Sequence, residues 1–142
     1  MIGLPSAACG GDATVADAPP PALDADPSID AAPPRETMNL VQPLAPSELV
    51  EAKMVGGAAG GNGDRAIIKL TAPTATLDWN IHAHPNGSTV TVHEELRVMT
   101  AEYDFIPNEK ADWFLLLRNG GGVSMDVQLE IKLYGAMTFT FL

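Results

Sequence analysis

Twelve consecutive residues alternate between apolar and polar side chains, and this alternation is the strongest constraint on the fold. From Val123 to Tyr134 every odd position is apolar, whereas every even position carries a polar, charged or tyrosine side chain. A helix would spread the apolar groups around its circumference, but a strand places all of them on one face. The segment is therefore predicted to be a β-strand with one buried face.

Other segments show strand patterns that are bounded by turn residues. The run Trp113–Leu117 is apolar throughout and is soon followed by three glycines, which predicts a central strand covered on both faces. Residues 49–55 follow a helix-like start at 46–48, but a strand is preferred there over a helical turn. The strand at the end of the chain is predicted to be an inner strand rather than an open edge. Strands are also predicted at 37–41, 66–72 and 101–106.

The dipeptide Asn86-Gly87 predicts a β-hairpin between segments 77–84 and 89–95. A type I′ turn needs a positive φ at both central residues, and Asn-Gly satisfies this need best. If these two residues form the loop, the numbers of each cross-strand pair sum to 173. The predicted pairs are Ala83 with Val90, His82 with Thr91, Ile81 with Val92, Asn80 with His93, and Trp79 with Glu94.

The chain has three histidines, and the predicted register places all of them on the face opposite Trp79 and Ile81. Side chains at i and i+2 on a strand lie roughly 6–7 Å apart, and a diagonal partner across the hairpin is within reach. Imidazole binds both Zn²⁺ and Cu²⁺. The pattern suggests a metal site formed by His82, His84 and His93; otherwise no cofactor is expected. The alternatives are polar residues on a solvated strand face, or a pH sensor.

Seven to nine short strands, joined by glycine-rich turns without a long helix between them, predict an all-β fold. We expect a single antiparallel β-sandwich, Ig-like or jelly-roll-like, over residues 37–142. The stretch Tyr103–Pro107, followed by 111–119, resembles the paired-strand signature of GOLD-like and bacterial prepeptidase-C-terminal-like sandwich modules. This resemblance implies a non-catalytic accessory module of secreted or membrane-associated proteins.

Residues 1–36 differ in composition from the rest of the chain. They hold seven of the 12 prolines and six acidic residues against one arginine, but no aromatic residue. Such a segment cannot offset its ordering entropy by burial, so a flexible acidic tether is predicted, with an acidic binding arm as the alternative. The whole chain has a formal charge of −10, which argues against nucleic acid as a partner.

Cys9 follows a run of small residues, Ser6-Ala7-Ala8, and precedes the acidic stretch. This arrangement resembles the cleavage region and tether of bacterial lipoproteins, in which the cysteine becomes the lipidated first residue. The resemblance implies an extracytoplasmic protein, lipid-anchored or secreted, whose precursor begins upstream of Met1. The alternative is an unmodified terminal thiol. No apolar run reaches the length of about 18 residues that a transmembrane helix needs.

These features favour a non-enzymatic binding or assembly module of the cell envelope, or a secreted one. Its partner would be an envelope protein or a surface ligand, and only a lipid anchor would contact the membrane. A metal-binding envelope protein is the alternative. A hydrolase is the third possibility, with Ser88, His84 and Asp78 as a conceivable set, although no nucleophile elbow surrounds the serine.

Overall fold

The computed structural model describes residues 32–56 and 63–142, and residues 33–142 form one compact unit. Both described ranges are built from strands and turns, and no helix in them is long and apolar enough to cross a membrane. The nine strands are β1 (Glu36–Leu44), β2 (Leu49–Val55), β3 (Arg65–Thr71), β4 (Leu77–Ala83), β5 (Val90–Val98), β6 (Thr100–Phe105), β7 (Asp112–Asn119), β8 (Met125–Tyr134) and β9 (Thr138–Phe141).

The strands form a four-stranded sheet, in the order β1-β8-β3-β6, and a five-stranded sheet, in the order β5-β4-β7-β2-β9. All pairs are antiparallel. Strand β1 pairs with β8, β2 with β7, β3 with β6 and β4 with β5, so the first eight strands form one long hairpin folded over itself. This is the topology of a jelly roll. The predicted antiparallel sandwich is confirmed, and of the two expected topologies the structure shows the second.

The alternating pattern places one side of each sheet in a shared core. In β8 the side chains of Met125, Val127, Leu129, Ile131 and Leu133 are buried, and those between them are exposed or half-buried. Aromatic rings join the two sheets: the ring centroids of Phe105 and Trp113 lie 5.2 Å apart. Burying this apolar surface from both sheets is the main stabilising contribution to the fold.

The end of the chain differs from the prediction. Strand β9 pairs with β2 alone and lies at the edge of the five-stranded sheet, so the expected inner position is wrong. Its apolar residues Phe139 and Phe141 still turn toward the core, with ring centroids 5.4 Å apart. Alternating apolar side chains show only that one face of a strand is buried. An edge strand and an inner strand can both bury one face, so the pattern does not distinguish them. Residues 49–55 form a strand, as preferred.

Strand β7 is the third of five strands, as predicted, but its two faces differ. Trp113, Leu115 and Leu117 are buried, whereas Phe114 and Leu116 on the opposite face are only half-buried. The expectation that both faces are covered is therefore wrong. At the end of β7 the fully buried Asn119 amide donates to the carbonyls of Leu44 and Val123, and its Oδ1 accepts from the Gly121 amide. This side chain joins the end of β1 to the loop between β7 and β8.

The β4–β5 hairpin turns through a 3₁₀ turn at Pro85–Gly87, and both Asn86 and Gly87 have positive φ, as predicted. The first two cross-strand pairs also agree, since Ala83 faces Val90 and His82 faces Thr91. The register then shifts: Ile81 faces His93 because Val92 is an extra residue in β5. A second shift follows between Leu77 and Trp79. These are β-bulges, which bend an edge strand and reverse the side-chain alternation beyond them.

Candidate functional site

The outward side of the five-stranded sheet carries a group of ring and polar side chains at its centre. Alternation in the three central strands brings them together, because each strand sends its second set of side chains away from the core. We call this group the outer-face cluster; its members are Glu51 on β2, Asn80, His82 and the following His84 on the β4 side, and Phe114 on β7.

His82 lies at the centre of the outer-face cluster and is only 4% exposed, although it points away from the core. Its ring stacks on Phe114 with centroids 5.5 Å apart and an interplanar angle of 23°. Its Nδ1 lies 2.8 Å from Oδ1 of Asn80, a hydrogen-bond distance. The stacked ring and the hydrogen bond together restrict both the position and the rotation of the imidazole.

Burial lowers the pKa of His82 below the ordinary histidine value, because the charged ring would lose its hydration. Glu51 opposes this effect and His84 adds to it, but desolvation is the largest influence. The Nε2 atom of His82 lies 3.6 Å from Oε1 of Glu51. At neutral pH the cluster therefore presents an uncharged imidazole beside a carboxylate.

His84 is exposed and stands beside His82, with ring centroids 4.9 Å apart in an edge-on arrangement. Its ring centroid lies 5.3 Å from that of Phe114, and its Nδ1 is 3.2 Å from the hydroxyl of Thr89. A depression of about 340 Å³ adjoins this ring, with Asp112 at its side. On the other side of the cluster, a second depression of about 220 Å³ begins at Asn80, and Leu116, Leu49, Leu96 and Arg118 are among its lining residues.

The predicted grouping of three histidines on one face is wrong for His93. The extra residue Val92 turns His93 to the core side of β5, where its ring stacks on Tyr103 at 3.8 Å and lies 4.8 Å from Trp79. Its Nε2 is 3.0 Å from Oε1 of Glu95.

The physical reason for the bulge lies in the acidic residues of β5. In the predicted register Glu94 would face Trp79 on the core side, but the bulge turns it outward opposite Asn80. Glu95 then faces Trp79, and its two oxygens contact the indole N–H at 3.4 Å and His93 at 3.0 Å. The Glu95 side chain is 33% exposed, so water solvates it only in part, and this register places both the indole N–H and His93 against its oxygens.

The conceivable Ser88, His84 and Asp78 set is not brought together. Asp78 lies in β4 six residues before His84, which directly follows the strand, and six residues span about 20 Å in extended backbone. Its Oδ1 accepts a hydrogen bond from the Arg97 amide at 2.9 Å instead. Ser88 follows the hairpin turn and is exposed.

Within residues 32–56 and 63–142, no group of three or more His, Cys, Asp or Glu side chains is placed to hold a metal ion. His82 and His84 remain neighbours, as the sequence indicated. Metal binding itself stays a prediction, and Cys9 lies outside the described residues.

Two members of the outer-face cluster escaped the sequence analysis. Glu51 stands on a weakly patterned strand, and Phe114 was assigned to a strand buried on both faces. Neither had a local signal, because the pairing of β2 with β7 and of β7 with β4 joins residues that are far apart in the sequence.

Comparison with known proteins finds similarity among solved structures only. No protein family matches the sequence, and no curated protein matches it either. Among solved structures, the chain is similar to the mitogen derived from Yersinia pseudotuberculosis, with a TM-score of 0.47 and 8% identity over 71% of this chain and 87% of the other. A similarity of this size carries no inference about function.

Proposed function

We propose that the sandwich domain is a non-enzymatic binding or assembly module that acts outside the cytoplasm, and that the acidic segment before it serves as its tether. The observation that carries the proposal is the outer-face cluster on the five-stranded sheet. It combines a buried, a half-buried and an exposed ring with a carboxylate and an amide in one place. Such mixtures of apolar surface with a few oriented polar groups are typical of ligand sites.

The energetics of His82 support a binding role for this face. Burying a polar side chain on an outward surface carries a desolvation cost that the Asn80 hydrogen bond only partly offsets. The same arrangement holds the ring in one orientation before any ligand arrives. A preorganised group loses little conformational entropy on binding, which favours affinity.

The depressions on either side of the cluster extend the binding surface along the sheet. One adjoins Phe114 and His84, and the other adjoins Leu116 and Arg118. Leu49 and Leu96 are 50% and 62% exposed at the second depression. The ligand in this proposal is an elongated surface molecule of the envelope, or a segment of an envelope protein, that spans both depressions.

The proposed location outside the cytoplasm is argued from the sequence. In the precursor, Cys9 is lipidated and the acidic segment separates the anchor from the module, so the membrane is contacted by the lipid alone. Mass spectrometry of the protein purified from its natural host tests this part: a diacylated N-terminal Cys9 is expected, and an unmodified chain starting at Met1 contradicts it.

A sedimentation assay tests the module. The unlipidated full chain is mixed with isolated bacterial cell walls and with a panel of envelope polysaccharides, and the bound fraction is measured. The Phe114→Ala/Leu116→Ala variant removes apolar surface from the outer face of the five-stranded sheet. Its matched control, Lys69→Ala/Gln128→Ala, changes the outer face of the other sheet.

We expect saturable binding by the natural chain and by the control, and at least about tenfold weaker binding by the Phe114→Ala/Leu116→Ala variant. Equal losses in both variants, or binding that neither variant changes, contradict the assignment of the surface. The same samples are screened with ester, peptide and glycoside substrates. If any substrate is turned over and Ser88→Ala abolishes the turnover, the protein is a hydrolase and the proposal of a binding module is wrong.

A further inference from the structure

His82 and Glu51 bring two hydrogen-bond acceptor atoms close together. The amide oxygen of Asn80 can only accept a hydrogen bond, so Nδ1 of His82 donates to it at 2.8 Å. The Nε2 atom of the neutral ring then carries a lone pair. Oε1 of the Glu51 carboxylate lies 3.6 Å from this nitrogen, which is longer than a hydrogen bond.

The nearby basic side chain does not fill this position. Lys53 is two residues from Glu51 on β2 and points to the same side, but its Nζ pairs with Asp112 at 2.6 Å. The carboxylate of Glu51 and the imidazole of His82 are thus left with lone pairs that can coordinate a cation.

The separation of the two atoms fits a shared metal ion. Zinc binds imidazole nitrogen at about 2.0–2.1 Å and carboxylate oxygen at about 2.0–2.2 Å, so two such ligands on a tetrahedral ion lie about 3.4 Å apart. The observed 3.6 Å between Nε2 and Oε1 is close to this value. Only a small shift of the half-exposed Glu51 side chain is needed.

The surroundings of His82 match those of a metal ligand in a second respect. A ligating histidine commonly donates its other ring N–H to an oxygen acceptor, which fixes the tautomer and aims the free nitrogen at the metal. Asn80 supplies that oxygen, and stacking on Phe114 holds the ring plane.

We propose that Nε2 of His82 and Oε1 of Glu51 bind one divalent transition-metal ion, Zn²⁺ or Cu²⁺, in an open site on the outer face of the five-stranded sheet. The site differs from the one that the sequence suggested, because a carboxylate from β2 replaces His93. Imidazole selects these ions over Mg²⁺ and Ca²⁺, which prefer oxygen ligands. The free coordination positions hold water or a donor atom of a bound ligand. This site goes beyond the proposed function, since it needs no macromolecular partner.

The test is a titration of the metal-free full chain with Zn²⁺, and separately with Cu²⁺, in competition with a chromophoric chelator. All proteins carry Cys9→Ser, because a free thiolate would bind both ions. The ligand variants are Glu51→Gln and His82→Gln. Their matched controls are Glu94→Gln, a carboxylate on the same face, and His93→Gln, an imidazole on the core side of the same hairpin.

We expect one ion per chain and at least about tenfold weaker binding by each ligand variant, with both controls within about twofold of the parent. The absence of stoichiometric binding overturns the proposal, and so does binding that Glu51→Gln leaves unchanged. A loss in His93→Gln as large as that in His82→Gln overturns it as well.

A thermal melt gives an independent readout. An ion that binds only the folded chain raises its Tm with concentration. The parent and both controls should show this rise, and Glu51→Gln should show none. Because Glu51 is partly exposed, Glu51→Gln keeps the fold even if His82→Gln proves unstable. Failure of metal binding leaves the cell-wall assay unaffected, so the two proposals fail separately.

Discussion

The two outer faces of the sandwich are built on the same alternation but carry different chemistry. On the four-stranded sheet, neighbouring side chains alternate in charge, as in the row Asn39, Glu130, Lys69 and Glu102. On the five-stranded sheet, the corresponding central row is His82, Phe114 and Lys53, flanked by Asn80 and Glu51. Each face also has a depression of similar size, about 270 Å³ on the first and about 340 Å³ on the second.

The comparison shows that shape alone does not distinguish the two faces. Charged pairs such as Lys132 and Glu130, 3.1 Å apart, keep the first face hydrated and contribute little to stability. The second face has rings that contact one another and a histidine withdrawn from water. Its chemistry, rather than its depth, makes it the candidate binding surface.

The regularity of the two sheets differs as well. The four-stranded sheet keeps one register along each pair of strands, whereas the β4–β5 pair of the five-stranded sheet has two bulges. Bulges are frequent at sheet edges and beside functional sites, where they redirect side chains. Here the bulge at Val92 separates His93 from the outer-face cluster.

Deleting Val92 is expected to have the largest effect. Removal of the extra residue forces the unbulged register, which turns Glu94 toward Trp79 and the core and His93 outward. We expect a loss of about 3 kcal/mol or more in the free energy of unfolding, because His93 leaves its stack on Tyr103 and no longer contacts the carboxylate beside Trp79. Urea denaturation measures the loss, and Val92→Ala, which keeps the bulge, should cost below about 1 kcal/mol. Equal stability of the deletion and Val92→Ala contradicts this account of the hairpin.

Phe114→Ala should have the next largest effect. The half-buried ring contacts both His82 and His84, so its removal loses apolar burial and stacking. We expect a cost of about 2 kcal/mol, below the range for a fully buried phenylalanine. The matched change on the other face, Gln128→Ala, should remain within about 0.5 kcal/mol of the natural chain. If both changes cost the same in urea denaturation, the two faces do not differ as described.

The smallest expected effect is a pH dependence that originates in His82. Glu51 from β2 and its strand neighbour His84 are the titratable groups that face it, but burial dominates and lowers the pKa in the folded state. Below about pH 6.5 the unfolded chain therefore binds more protons than the folded chain, so the free energy of unfolding decreases as the pH falls.

Urea denaturation between pH 7.5 and 5, with EDTA present, measures this slope. His82→Gln should flatten it, and Lys69→Gln on the other face should keep it unchanged. Equal slopes in the natural chain and in His82→Gln would contradict a lowered pKa of His82 in the folded state.

Much of the fold was predictable because strand periodicity is a local property. Strands form at Trp113–Leu117 and beside Asn86-Gly87, and the one predicted at Val123–Tyr134 forms from Met125 onward, with Val123 left 79% exposed. The sandwich class follows from the number and spacing of the strands. The candidate site was only partly predictable. His82 and His84 share a face because they are two residues apart on one strand.

The sequence by itself determined which segments become strands, which side chains in most of them turn inward, and where the central hairpin turns, because these depend on alternation and on the backbone preferences of neighbouring residues. Only the tertiary structure decided that β9 is an edge strand, that Val92 bulges and that the Glu51 side chain lies beside His82. Each of these depends on cross-strand partners that are distant in the chain, and on which register gives the acidic residues of β5 hydrogen-bond donors or water.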